Sequence, residues 1–432
     1  MVPTKISVIL IMLIPKNLQN INPIPVDTSA PLAWFADCGY FVVNKEIYLH
    51  KVYAMQAATR HGLGPKDVIW VFNNDVYDAI DWKQPKNISL QSLYQARARQ
   101  LREKYNYLAL SFSGGGDSTN VLDSFILNNI HLDEVIIGWP RSQTAGKYTP
   151  NLSVVGSNFV SEWDYLIEPK LKWLEKVAPK TKITIADPYH SITSEEPQSD
   201  IVEVTVSHNL IGYKRQKAID DILLDRQKTF KNCAIIMGIN TPNLFLMKNH
   251  LLTFFADATT SRWPSDYTHK GLQRKVEYFY WTPDMPEIPC VQGHALLAAL
   301  KINKEIKAMV PNFDTGKNLP NSQETGYADG KIKNLYSEGL RRWVKSVLYP
   351  TYDFKLLQVN KTNSSTLSPD WFSWFYDNAH STEILQSHNS AITSHQNLID
   401  PIFFKNKNGE VHDYHTFKSK FYHLGDLNEN IV

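Results

Sequence analysis

Tyr107-Leu-Ala-Leu-Ser111, followed at once by Phe112-Ser-Gly-Gly-Gly-Asp117-Ser-Thr119, is the stretch on which the fold turns. Residues 107–111 read as a compact apolar strand. The glycine turn after them leads into Val121-Leu-Asp-Ser-Phe-Ile-Leu127, whose apolar residues recur at helical spacing. Strand, glycine loop and helix, in that order, suit an anion. Glycines let the backbone bend tightly and bring N–H groups to phosphate oxygens, and a helix N-terminus adds partial positive charge. Ser111 stands at the strand end, and the hydroxyls of Ser113, Ser118 and Thr119 are further donors. Asp117 is the informative residue. A bare carboxylate repels a polyphosphate unless a metal ion stands between them or the carboxylate caps the helix, so magnesium bridging is expected. A solvated glycine turn is the plain alternative, against which the apolar strand before and the apolar helix after both weigh.

Outward from the loop, strands are expected at Glu134-Val-Ile-Ile-Gly-Trp139, Lys182-Ile-Thr-Ile-Ala186 and Cys233-Ala-Ile-Ile-Met-Gly238. Helical character lies between them over 158–177 and 214–228. A helix over 89–104 precedes the loop, since Leu90, Leu93, Tyr94, Ala98 and Leu101 recur at three- and four-residue steps. This alternation predicts an α/β fold with a doubly wound parallel sheet, whose ligands sit beyond the carboxyl ends of the strands. Upstream, Tyr40-Phe-Val-Val43, a turn at Asn44-Lys45, a helix to Arg60, a break at Gly62-Leu-Gly-Pro65 and Val68-Ile-Trp-Val-Phe72 make a small α/β region. After residue 261 the alternation fades, and helices are expected over 295–307, 336–348 and 371–385. The Ser/Thr/Asn stretch 360–368 reads as an exposed loop, and the polar tail from 386 as partly mobile. The chain thus divides into an N-terminal α/β region at 1–88, a nucleotide domain at 89–260 and a mainly helical accessory region at 261–432. The aromatic runs at 278–281 and 371–376 read as core rather than as ligand stacks.

With 432 residues, 43% of them hydrophobic, the chain can bury one large core or two moderate ones. Its 45 basic and 43 acidic residues nearly cancel, which leaves no global field to draw in nucleic acid or an anionic membrane. Cys38, Cys233 and Cys290 stand far apart without a Cys-x-x-Cys pair, so neither a disulfide framework nor a cysteine zinc site is expected, and a cytoplasmic setting fits. Residues 6–14, apolar except for Ser7, are too short to span a bilayer, and no small-residue cleavage site follows. They read as a buried strand or a poorly ordered start. His412-x-x-His415 has a metal-site spacing but no cysteine near it, and is read as structural. His190 and His208 are expected near the active edge of the sheet without a catalytic role.

Ser111-Phe-Ser-Gly-Gly-Gly-Asp-Ser-Thr119 resembles the Ser-Gly-Gly-x-Asp-Ser signature of the PP-loop ATP pyrophosphatases, a superfamily that includes asparagine, GMP and NAD synthetases. Ser113, Gly114, Gly115, Asp117 and Ser118 match it, and Gly116 fills its variable position. The likeness covers mainly residues 107–129, with support from the strands out to Gly238, and no Walker-type loop is present. The resemblance implies a HUP-type (adenine nucleotide α-hydrolase-like) sheet, ATP and Mg2+ as cofactors, and cleavage of ATP to AMP and pyrophosphate. It implies that Ser111 to Thr119 cradle phosphate, with Asp117 and Ser118 catalytic and Asp117 on the metal. Gly138, Trp139 and the backbone of 110–112 would lie by adenine and ribose. Gly238, in Gly238-Ile-Asn-Thr-Pro242, matches a glycine that many relatives place there, though without their acidic pair. Arg262, in a constrained Ser-Arg-Trp-Pro segment, is the expected pyrophosphate cation ahead of Arg141, Lys147, Lys214, Arg215, Arg274 and Lys275.

The relatives that transfer sulfur often use cysteine pairs, which are missing here, so amide-forming or ligase-type chemistry on an unidentified acceptor is favoured. No cysteine precedes Cys38 to serve as an N-terminal amidotransferase nucleophile, so a nitrogen donor would be free ammonia or another subunit. The net charge gives tRNA no support as the acceptor, and no membrane partner is expected. The layout is similar to that of asparagine-synthase-like proteins encoded by bacterial viruses, which would place it in the host cytoplasm. Two alternatives stand beside this reading. One is a phosphoadenylyl-sulfate-reductase-like enzyme with Cys290 as its thiol, which Tyr278-Phe-Tyr-Trp-Thr-Pro-Asp284 resembles in flavour; the other is a nucleotide-binding module without turnover.

Overall fold

In the computed structural model the described residues are 39–48, 51–139, 163–187, 210–238, 241–257, 275–312, 326–328, 338–352, 403–405, 411–414 and 416–428. Strands β1 (Tyr40–Val43) and β2 (Glu46–Tyr48) form a hairpin on Asn44 and Lys45, both at positive φ, and helix α1 (Lys51–Arg60) follows. Two left-handed residues make a turn whose twist matches the strands, so the chain returns as β2 rather than passing straight into helix as the sequence suggested. Strand β3 (Ile69–Val71) completes a three-stranded sheet of order β2-β1-β3, and a short helix α2 (Asn74–Tyr77) comes next. Helix α3 (Leu90–Lys104) is capped by Ser89, whose Oγ accepts from the Ser92 amide at 3.1 Å.

The predicted alternation then appears in full. It comprises β4 (Tyr107–Ser111), α4 (Gly116–Ile126), β5 (Glu134–Gly138), α5 (Glu168–Val177), β6 (Lys182–Ala186), α6 (Leu210–Thr229) and β7 (Cys233–Met237). Beyond it lie a hairpin of β8 (Asn243–Met247) and β9 (His250–Phe254), then β10 (Lys275–Tyr278), α7 (Glu287–Ile302) and α8 (Lys304–Met309). The last elements are β11 (Gly326–Ala328), α9 (Glu338–Leu348), β12 (Phe403–Lys405), β13 (Val411–Tyr414), β14 (Thr416–Lys418) and β15 (Tyr422–Asp426).

The central sheet has the order β10-β7-β4-β5-β6, and every neighbouring pair is parallel. From β4 the chain builds outward through β5 and β6 on one side, then returns to build β7 and β10 on the other. Alternate residues of each strand enter two separate cores. Leu108, Leu110, Val135, Ile137, Ala234 and Ile236 meet residues of α3, α4, α5 and α7, whereas Ala109, Ile136, Ile235 and Met237 meet Ile219 and Leu223 of α6. Helices on both faces make the sheet doubly wound, and strands buried on both faces read as unbroken apolar runs.

Two expectations are corrected. The region after 261 is not set apart from the central sheet, because it supplies the sheet's fifth strand, β10, and among its described residues the strands from β11 to β15 stand beside the helices. β10 was hidden because it is short and its Glu277, 2% exposed, interrupts the apolar run. The described part of the tail from 386 is also anchored: β15 pairs with β9, and Phe417, Tyr422 and Leu424 are buried in the same core as Phe41 and Leu110. The helix expected over 295–307 starts earlier, at Glu287, and breaks at Asn303, whose side chain caps α8. The segments 6–14, 360–368, 371–376 and 371–385 lie outside the described residues. No described helix is long and apolar enough to cross a membrane.

Glu277 is held by a buried network. Arg97 of α3, with no exposed surface, donates to Glu277 Oε2 at 2.8 Å and to the Tyr278 carbonyl at 3.0 Å. Tyr105 donates to Oε1, and Lys104 lies 3.1 Å from the same oxygen. Removing the guanidinium strands a buried carboxylate, so Arg97→Ala should lower the unfolding free energy by about 3–5 kcal/mol in denaturant melts. Lys104→Ala, which removes an ammonium one-third exposed on the same carboxylate, should cost less than about 1 kcal/mol. Equal losses would mean that the buried pair does not fix the fifth strand.

Candidate functional site

The glycine loop leaves the carboxyl end of β4, between β5 and β7, at the point where the strand order reverses. Open α/β sheets bind ligands at such a point, because the loops on either side diverge and leave a crevice. The Phe112 amide donates to the Ile136 carbonyl at 2.9 Å, and Phe112 itself is buried, so the chain enters the loop from a fixed position. Gly114 has φ +74, and a Cβ there would stand 2.7 Å from Ile167 Cγ1, so no side chain is tolerated. Gly238, just after β7, is buried, and its backbone packs on the first turn of α4, where a Cβ would lie 3.0 Å from the Asp117 carbonyl oxygen.

The loop hydroxyls converge. Ser118 Oγ lies 3.2 Å from Ser113 Oγ, accepts from the Ser113 amide at 3.2 Å and donates to the Gly115 carbonyl at 3.2 Å. Thr119 Oγ1 donates to the Gly114 carbonyl at 3.4 Å. Ser113 is exposed, whereas Ser118 is buried and Ser111 and Thr119 are intermediate, so the group opens to solvent at one side.

Asp117 sits in the first turn of α4 and meets a part of the chain that the sequence did not connect to it. Its Oδ2 lies 2.5 Å from Lys345 Nζ of α9, and its Oδ1 accepts from the Tyr349 hydroxyl at 2.6 Å. Its backbone carbonyl accepts from the Tyr280 hydroxyl at 2.9 Å, and Asn120 donates to that same hydroxyl oxygen at 2.9 Å. Tyr280 and Tyr349 stack with ring centroids 5.5 Å apart. Burial pushes both phenols well above their ordinary range, so each stays protonated and donates. The Tyr352 ring packs directly on Gly116. Nearly two turns further along α4, Asp123 is tied to Lys170 Nζ at 2.5 Å and to Thr351 Oγ1 at 2.7 Å.

Of the expected site residues, Ser111, Ser113, Gly114, Gly115, Gly116, Asp117, Ser118, Thr119 and Gly238 therefore share one corner of the fold. Trp139 lies at the neighbouring carboxyl end of β5, buried against Trp163 at 5.9 Å. Arg262 lies outside the described residues, as do Arg141, Lys147, Arg274, His190, His208 and His415. Lys275 opens β10 at its amino end, away from the loop. Lys214 and Arg215 lie on α6. Among the described residues the cation that reaches the loop is Lys345, which sequence reasoning missed along with Tyr280, Tyr349, Thr351 and Tyr352. The signal available was the pattern of α9, where Leu340, Val344 and Leu348 are buried while Arg341, Arg342 and Lys345 add charge. Such a helix must dock, and its basic residues then need partners.

Asp117 with the Ser113 and Ser118 hydroxyls fits a magnesium ion that is bound through one carboxylate and otherwise through phosphate and water, provided the Lys345 ammonium gives way. Cys233 and Cys290 are both buried, and burial pushes each thiol up to about 11, which keeps them in the unreactive form. Cys38 lies outside the described residues. No protein-family model, curated protein or solved structure matches the chain. The contact between Asp117 and Lys345 is testable by a double-mutant cycle with Asp117→Asn and Lys345→Met. It should give a coupling energy of about 0.5–3 kcal/mol in unfolding measurements, whereas additivity within about 0.3 kcal/mol would mean that the pair is not formed in solution.

Proposed function

We propose that residues 111–119 form the phosphate cradle of a PP-loop-type ATP pyrophosphatase, which cleaves ATP to AMP and pyrophosphate to activate an acceptor for amide or ligase chemistry. The observation that carries this reading is the pairing of Asp117 with Lys345 beside a glycine loop at the reversal point of a parallel sheet. Counted from β4, the strands run 3-2-1-4-5, the order of dinucleotide-binding sheets, which supports a HUP-type assignment.

On this reading the loop amides and the hydroxyls of Ser113, Ser118 and Thr119 hold the β- and γ-phosphates, and Asp117 holds Mg2+. Bound magnesium would neutralise charge on the phosphates. Lys345, released from Asp117, faces the pyrophosphate as it leaves. An acceptor oxygen attacks the α-phosphorus, the bond from that phosphorus to the bridging oxygen breaks, and the electron pair departs on pyrophosphate. The adenylated acceptor is then open to a second nucleophile, which displaces AMP. Positioning and electrostatics suffice for this, so no general base is required of the loop. The adenine would lie toward Gly138 and Trp139. A reductase-like alternative loses support, because Cys290 is buried with its thiol held protonated.

With magnesium, α-labelled ATP and pools of small metabolites, amino acids and tRNA, the protein should form AMP and pyrophosphate. Asp117→Ala should abolish the product, and Lys345→Ala should slow it by about 10²–10³-fold, the scale of losing one transition-state donor. ADP as the product would overturn the reading. Tight ATP binding without AMP in any pool would favour a nucleotide-binding module without turnover.

A further inference from the structure

Far from the glycine loop in sequence, β9 and β15 bring together two histidines and a carboxylate. β15 pairs antiparallel with β9 in the register Tyr422↔Thr253, His423↔Leu252, Gly425↔Leu251 and Asp426↔His250. The register skips Leu424, which marks a β-bulge. In an unbroken strand, residues 423 and 426 would point to opposite faces, because side chains alternate with period two. The bulge adds one residue and turns Asp426 onto the face of His423. Gly425 makes this possible: its φ is +142, and a Cβ there would stand 3.0 Å from Leu297 Cδ2. Tyr422 and Leu424 are buried and pin the strand, so the bulge is held in place by the core.

The outcome is a compact donor set. His250 Nδ1 and His423 Nε2 both bond the same oxygen, Asp426 Oδ1, the second at 3.0 Å, and the three ligand atoms all lie within 4.8 Å of one another. The imidazoles meet edge to face with centroids 4.8 Å apart. The side chains are 41%, 26% and 27% exposed, so water reaches the set and can complete a coordination sphere. Two imidazole nitrogens and one carboxylate oxygen suit a borderline divalent ion such as Zn2+, whereas Mg2+ and Ca2+ prefer oxygen alone.

We propose that His250, His423 and Asp426 form a binding site for a divalent transition metal, of the Zn2+ class, that clamps β15 onto β9. The site is separate from the glycine loop and does not depend on its assignment. Isothermal titration of the chelator-treated full-length protein with Zn2+ should show saturable binding at one ion per chain. His250→Ala and Asp426→Asn should each weaken it by more than about 10-fold, since even second-shell partners act on that scale. Co2+ should give visible d–d absorption in the wild type that is lost in both variants. Asp426→Asn keeps the side-chain volume and decides the matter should His250→Ala fail to fold, folding being checked by circular dichroism. Saturable binding of unchanged affinity in folded Asp426→Asn, or no saturable binding in the wild type, would overturn the proposal.

Discussion

The charge on Asp117 is the constraint around which this corner of the protein is arranged. A carboxylate in the first turn of a helix is favoured by the helix dipole, yet it faces the mouth of a loop whose amides and hydroxyls suit an anion. Three groups distant in sequence settle that conflict. Lys345 supplies a compensating charge, Tyr349 a hydrogen bond to the other carboxylate oxygen, and Tyr280 a hydrogen bond to the backbone carbonyl. Burial keeps both phenols protonated, so each has a proton to donate to Asp117, and Tyr349 with Lys345 fixes the orientation of the two carboxylate oxygens.

These contacts require the rest of the fold. Tyr280 reaches the loop because it continues directly from β10, and β10 is held in the sheet by the buried Arg97–Glu277 pair. Lys345 reaches it because Leu340, Val344 and Leu348 seat α9 in the core, and Tyr94, which accepts from Gln292 of α7, donates to the Leu348 carbonyl at the end of α9. Stability and site geometry therefore share residues. A change that loosens the fifth strand is felt at Asp117 through Tyr280, with only Phe279 between it and the strand.

What could be read from the sequence follows the range of the interactions involved. The strand, loop and helix at 107–126 are written in local pattern, and so are β5, β6 and β7, whose burial on both faces makes them unbroken apolar runs. β10 escaped because its Glu277 is polar for a tertiary reason, the Arg97 guanidinium. The hairpin of β8 and β9 escaped because its turn, with Lys248 at positive φ, lacks the glycine that announces such turns. The loop residues of the site were legible as a motif. Lys345 was not, since more than two hundred residues separate it from Asp117 and only packing brings them together. Arg262, the cation expected from the sequence, lies outside the described residues.

The arrangement also constrains how ligands would enter on the proposed reading. The groups that would meet phosphate are engaged with one another: Ser118 with Ser113 and Gly115, Thr119 with Gly114, and Lys345 with Asp117. A nucleotide must exchange these bonds for charge-assisted ones to its own oxygens, which are individually stronger. Moving Lys345 onto phosphate alone would leave Asp117 beside a polyanion with no cation between them. Magnesium arriving alone would compete with Lys345 for the same carboxylate oxygen. Each ligand removes the obstacle to the other, because phosphate attracts the ammonium that magnesium must displace. On that reading, nucleotide and metal binding at this loop would be thermodynamically linked through one lysine, and linkage of this kind is reciprocal.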